Sequence, residues 1–229
     1  MKITSKSILP ILFGLLLMSC SQSNKESMNW EKIYTEQGLE KVNTSNTNIL
    51  VDLRYSTDNN FIGEDVYGNL EEAYLQPEAL QKLNLAADVL KKSHPDLKIL
   101  IWDAARPRRI QQVLWDTVDI PVDERSQYVA NPTSGSIHNY GCAVDLTLAD
   151  TTGKPIDMGT DYDNFSEAAH ITNETDLIAR GILTRQQVEN RLILRSVMLE
   201  AGFFPINSEW WHFDAFTRKE TKSRFKIVE

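Results

Sequence analysis

The 229-residue chain has four histidines, few enough to ask of each what it holds. His138 lies in SGSIHNYGCAVDLTL, residues 134–148, and Asp145 follows it in the same stretch. Gly135 and Gly141 flank the histidine, so the loop can curl its imidazole toward that carboxylate. In CAVDLTL, period-two alternation places Val144, Leu146 and Leu148 on one strand face and Ala143, Asp145 and Thr147 on the other. Asp145 thus leaves the apolar face. The pair alone also suits a surface ion pair; SEWWHF adds His212 and the carboxylate of Glu209. His138, Asp145 and His212 make the set of three protein ligands, with one position left for water, that hydrolytic zinc sites use. Glu209 is then the nearby base. Residues i and i+3 of a regular strand point to opposite faces, so Glu209 and His212 share a site only if the chain is irregular at Glu209–Trp211. An aromatic edge strand with a solvated glutamate is the other arrangement open to EWWH.

These residues need elements to position them, and the pattern reads as α plus β. NILVDLRY, 48–55, has strand composition, and turn formers crowd the stretch after it. PEALQKLNLAADVLKKSHPD, 77–96, spaces Leu80, Leu83, Ala87 and Leu90 as a helix, with Pro77 near its start and Pro95 beyond its end. KILIWDAARP, 98–107, reads as a buried strand stopped by Pro107, and RRIQQVLWDTV as a following helix. CAVDLTL, 142–148, is a further strand. TRQQVENRLILRSVMLEAGF, 184–203, is a helix capped by Thr184 and ended by Gly202. EWWHFDAF, 209–216, is the last strand expected.

The first residues stand apart from the fold. MKITSKSILPILFGLLLMSC joins two early lysines to an apolar run too short to span a bilayer and then a cysteine. LMSC resembles a bacterial lipobox, which implies a signal peptide over 1–19, lipidation of Cys20, and an exported, membrane-anchored protein, periplasmic or at the cell surface. Residues 20–47 are expected to serve as a flexible tether and 48–229 as the globule, one domain by its length. Removing Lys2 and Lys6 leaves a chain still more acidic than its formal net charge of -8, which excludes nucleic acid as the expected partner. Cys142 has no mate if Cys20 carries lipid, so no internal disulfide is expected.

The motif SxHxxGxAxD, here Ser136, His138, Gly141, Ala143 and Asp145, is followed by ExWH, here Glu209, Trp211 and His212. Together they resemble the zinc D-alanyl-D-alanine dipeptidases of the VanX type, peptidase family M15. LRYSTDNNFIG, WDAARPRR, MGTDYDNFSEAAH and RLILRSVMLEAGF look like family segments in the family order, so the resemblance spans about residues 49–216. It implies a single α+β domain of the hedgehog and D,D-peptidase kind, a mostly antiparallel sheet flanked by helices with the zinc site on the sheet. It also implies one Zn2+ per chain on His138, Asp145 and His212, with Glu209 as general base. Arg106 matches the family arginine that stabilises the tetrahedral intermediate, a role suited to a fixed guanidinium beside a developing oxyanion. Tyr55 and Asp163 match positions that grip the free amino group of a dipeptide, and Ser136 one near its carboxylate.

The sequence departs from the family pattern at Ala105, where many members carry an aromatic residue, and at Cys142, where a small or apolar residue is usual. An exported enzyme would meet dipeptides from wall turnover or from its surroundings, which favours recycling or scavenging over antibiotic resistance. Two other functions fit the motifs: a D,D-carboxypeptidase on longer wall peptides, and a zinc-containing protein that binds wall peptides without cleaving them. Glu209 and Arg106 favour an enzyme, because a binder needs neither a base nor an oxyanion partner. His94 suits a helix end and His170 a surface or cap position; neither is assigned to the site.

Overall fold

The computed structural model describes residues 28–42 and 46–229. The expected signal peptide over 1–19, the lipidated Cys20 and the start of the tether lie outside the described residues. In chain order the elements are α1 (Trp30–Thr35), β1 (Glu40–Lys41), β2 (Ile49–Val51), β3 (Tyr74–Leu75), α2 (Pro77–Ser93), β4 (Leu97–Asp103), α3 (Arg108–Thr117) and β5 (Ala143–Asp150). After these come α4 (Glu174–Ala179), α5 (Arg185–Glu200), β6 (Phe204–Pro205), β7 (His212–Asp214) and α6 (Arg218–Arg224). They make one α+β domain. The main sheet has the order β2-β4-β5-β7-β6, and β1 and β3 form a separate ribbon. Only β2 and β4 run parallel; the other neighbours in both sheets are antiparallel. Helix α2 packs on β4 and on α5, and α5 on β5.

The helices begin where the sequence expected. Pro77 takes the first turn of α2, where its missing N–H costs nothing. Thr184 accepts the N–H of Gln187, whose side chain returns to the Thr184 backbone, a capping box at the head of α5. Pro107 ends the chain segment after β4 and precedes α3. Every residue from Ala143 to Ala149 is buried, so both faces of β5 are covered. Asp145 leaves the Val144, Leu146 and Leu148 face as alternation requires, yet what it enters is an enclosed polar site.

Three expectations need correction. The tether does not extend to residue 47. Trp30 and Tyr34 are buried one helical turn apart on α1, and Leu39 and Val42 join them in the core. Tyr34 stacks on Tyr74 at 4.6 Å between ring centroids and donates to the Ala105 carbonyl at 2.8 Å. The small side chain of Ala105 lies buried beside this tyrosine pair. Second, the strand expected over 48–55 ends at Val51, and Arg54–Ser56 turns into a single 3-10 turn. Third, the strand expected over 209–216 shrinks to His212–Asp214.

A chain starting at Met28 should therefore resist urea better than one starting at Asn48. The shorter chain loses four buried side chains, and large-to-small core changes cost about 2–5 kcal/mol each. Equal unfolding midpoints for the two would show that α1 is dispensable.

Candidate metal centre

The register of the sheet builds the site. Asp145 on β5 pairs with His212 on β7 and, on its other side, with Asp103 on β4. Directly paired residues share a face, so Asp103, Asp145 and His212 stand in a row across three strands. Regular pairing would have set Trp102 beside Asp145. A bulge between Ile101 and Asp103 inserts one residue and brings a carboxylate there instead.

His138 arrives from outside the sheet, on a 3-10 turn over Ile137–Tyr140. Ser136 caps this turn by accepting the His138 N–H at 3.0 Å, and Asn139 Oδ1 accepts the Ser136 N–H at 2.7 Å. The turn is stitched to the strand end below it. Arg106 N–H donates to the His138 carbonyl at 3.0 Å, and Asn139 Nδ2 donates to the Arg106 carbonyl at 2.7 Å. Gly141 closes the turn at φ +66, and a Cβ there would meet Leu39 Cδ2 at 2.6 Å. Only glycine satisfies both demands.

Three donor atoms meet. His212 Nδ1 lies 3.0 Å from His138 Nε2 and 3.0 Å from Asp145 Oδ1, and His138 Nε2 lies 3.2 Å from the same oxygen. The far side of each ligand is already committed. His138 Nδ1 is 2.7 Å from the Ala104 carbonyl, which can only accept, so that nitrogen carries the proton. His212 Nε2 is 2.8 Å from Asp214 Oδ1 and carries its proton likewise. Tyr162 donates to Asp145 Oδ2 at 2.9 Å. Two imidazole nitrogens and a carboxylate oxygen thus converge on one point, an arrangement that favours positive charge there. His212 registers that pull: burial opposes a charged ring, but Asp214 and Asp145 outweigh it and hold the imidazole well above its ordinary range. For Asp145, burial pushes the carboxyl up, and the two histidines outweigh it and hold it well below the usual range. The donor set fits a divalent cation of the zinc type.

Glu209 belongs to the same site. The chain bends at Trp210 and Trp211, just before β7, which supplies the irregularity expected at Glu209–Trp211 and leaves Glu209 Oε2 3.9 Å from His212 Nδ1. Burial, with a contribution from Asp145, raises its carboxyl above the ordinary range.

Arg106 lies on the other flank, its Nη2 3.6 Å from Asp145 Oδ2. Asp103 Oδ2 accepts from both Nε at 2.8 Å and Nη2 at 2.6 Å. Gln111 accepts from Nη1 at 3.0 Å, and the guanidinium sits over the Tyr55 ring at 5.0 Å. Asp103 is completed by the Tyr67 hydroxyl at 2.6 Å. The neighbouring arginines are engaged elsewhere, Arg108 with Glu229 and Arg109 over Trp30.

The remaining expected residues line the same cavity, which measures about 170 Å³. Tyr55 donates to Asp163 Oδ1 at 3.2 Å, and the Phe61 N–H reaches Asp163 Oδ2 at 3.3 Å. Asp163 holds φ at +56, the one non-glycine positive φ among the described residues and a strained conformation of the sort that collects at functional sites. Its carboxyl is pushed well above the usual range, chiefly by burial. Ser136 also faces the cavity; its oxygen accepts the cap bond and its hydroxyl proton stays available. Asp161, by contrast, is exposed.

A sequence model of the peptidase M15 family, described as D-ala-D-ala dipeptidase, matches residues 35–227. The chain belongs to this family. As an M15 member it is a peptidase, and the family's peptidases use a metal. The D-alanyl-D-alanine dipeptidase of Escherichia coli is 33% identical over 164 residues, 72% of this chain and 77% of that protein. The enzyme of the same name from Enterococcus faecalis is 28% identical over 176 residues, 71% of this chain and 83% of its own. A solved structure of the LdcB LD-carboxypeptidase overlaps 66% of this chain at 19% identity and a TM-score of 0.37, too partial a likeness to bear on the fold.

Asp103, Asp214, Tyr67 and Tyr162 escaped sequence reasoning. Asp103 had a signal in WDAARP, three residues before Arg106, but only the bulge turns it toward the site. Cys142 is buried, with its thiol pushed up to about 12 mainly by burial and its Sγ 3.4 Å from the Tyr140 carbonyl. It is an inert core residue on the opposite parity from Asp145.

Asp103→Ala should destabilise the protein by about 3–5 kcal/mol, because it leaves the buried Arg106 guanidinium without its carboxylate. Chemical denaturation of the variant measures this, and a loss below about 1 kcal/mol would mean that Arg106 re-pairs at once.

Proposed function

We propose that the chain is a zinc-dependent dipeptidase that hydrolyses D-alanyl-D-alanine or a similar small dipeptide. The observation that carries the reading is the convergence of His138, Asp145 and His212 with a base on one flank and a guanidinium on the other. When bound, zinc supplies Lewis-acid polarisation and lowers the pKa of water at the site. Glu209, in an environment that raises its basicity, accepts a proton from the attacking water and passes it to the leaving amine. Arg106, locked by Asp103 and Gln111, faces the oxygen on which negative charge develops and needs no reorganisation to stabilise it. Asp163, with Tyr55 behind it, receives the free ammonium of the substrate. Ser136 donates toward the carboxylate end.

The cavity lies below the range of about 300–1,000 Å³ typical of drug-sized ligand sites, which supports a dipeptide over a longer wall peptide. Relatives named D-alanyl-D-alanine dipeptidase support the same choice. The lipobox-like LMSC supports an exported lipoprotein whose role is wall-peptide recycling or scavenging; finding the enzyme unprocessed in the cytosol would remove that part of the reading.

Replacement of Glu209 by Gln should lower kcat on D-Ala-D-Ala by about 10²–10⁴ while zinc content, measured by mass spectrometry, stays at the wild-type level. Full turnover in the zinc-loaded variant would contradict the assigned base. Comparison of D-Ala-D-Ala with L-Ala-L-Ala and with a longer peptide ending in D-Ala-D-Ala fixes the substrate class.

A further inference from the structure

We propose that Arg218 is a specificity-determining residue that reads the free C-terminal carboxylate of the substrate. The proposal rests on the dipeptidase reading and adds to it a charge requirement at the leaving-group end. Arg218 lines the metal cavity together with Ser136, His212 and Asp214. It is exposed and joins no ion pair or side-chain hydrogen bond among the described residues, whereas Arg224, at the far end of the same helix, is tied to Glu78 and Glu220. As the first residue of α6 it gains nothing from the helix dipole, which disfavours a cation at that end. A guanidinium that breaks the local preference and has no protein partner is free for a ligand.

Its position sets the polarity of the cavity. The acidic end is built by Tyr55, just after β2, and Asp163, which share a hydrogen bond. Arg218 follows β7, on the other side of β5 in the sheet order, and its helix packs against the Ile137–Tyr140 turn that Ser136 caps. Ser136 and Arg218 therefore belong to one end and Asp163 to the other. The two carboxylates nearest Arg218 along the chain are engaged elsewhere, Glu220 with Arg224 at 2.9 Å and Asp214 with His212 Nε2 at 2.8 Å. A dipeptide carries one ammonium and one carboxylate on either side of its single peptide bond. The cavity matches both charges, and a peptide amidated at its C-terminus forfeits the second.

The test compares D-Ala-D-Ala with D-Ala-D-Ala-amide on the zinc-loaded wild type, Arg218→Gln and Arg218→Lys. The wild type should prefer the free acid. Arg218→Gln should lower the acid-to-amide ratio of kcat/KM about tenfold, through the KM for the free acid, an effect sized for a rim guanidinium that is partly screened by solvent. Arg218→Lys should restore part of the preference. An unchanged ratio in Arg218→Gln overturns the proposal while leaving the dipeptidase reading in place. A wild type that cleaves neither compound overturns both.

Discussion

Two imidazole nitrogens and a carboxylate oxygen are held within hydrogen-bonding distance of one another, an arrangement that favours positive charge between them. The rest of the site follows from that constraint. Each candidate ligand is gripped on its far side: His138 by a backbone carbonyl, His212 by Asp214, Asp145 by Tyr162. These grips fix tautomer and orientation before any ion arrives, which is how outer partners tune a metal site. The supporting elements are correspondingly rigid, with Asp145 and His212 paired across adjacent strands and the His138 turn hydrogen-bonded to the end of β4.

The buried charges around the site form one connected set. Asp103 neutralises Arg106, Arg106 approaches Asp145, and Asp145 faces the histidines. Removing any member leaves a buried charge uncompensated, a larger loss than the pair contributed. The aromatic residues packed around this set, among them Tyr55, Tyr162, Trp102 and Trp211, exclude water and strengthen each of these interactions. Stability and chemistry therefore draw on the same residues.

Much of this was legible in the sequence and some was not, for physical reasons. Residue type and local period exposed His138, Asp145, Glu209 and His212, because alternation along one strand and a short ExWH spacing are local facts. The caps at Pro77 and Thr184 were legible for the same reason. Asp103 was not, since its orientation depends on a bulge that exists only once β4 pairs with β5. Tyr162 and Asp214 escaped because a carboxylate or phenol that orients a ligand has no spacing rule of its own. Helix α1 was missed because six residues are too short to show a period, and its stability comes from stacking on Tyr74 rather than from propensity. Arg106 came from family resemblance, and the structure supplies what separates it from Arg108 and Arg109: a carboxylate and a glutamine that lock it beside the cluster of His138, Asp145 and His212.

The central claim is that His138, Asp145 and His212 form a preorganised cation site. Titrating zinc into chelator-stripped protein while recording X-ray absorption at the zinc edge tests it directly. Binding should saturate at one equivalent, with a first shell of two imidazole nitrogens and oxygen ligands and no sulfur. Failure to bind a stoichiometric equivalent, or a shell containing the Cys142 thiolate, would contradict it.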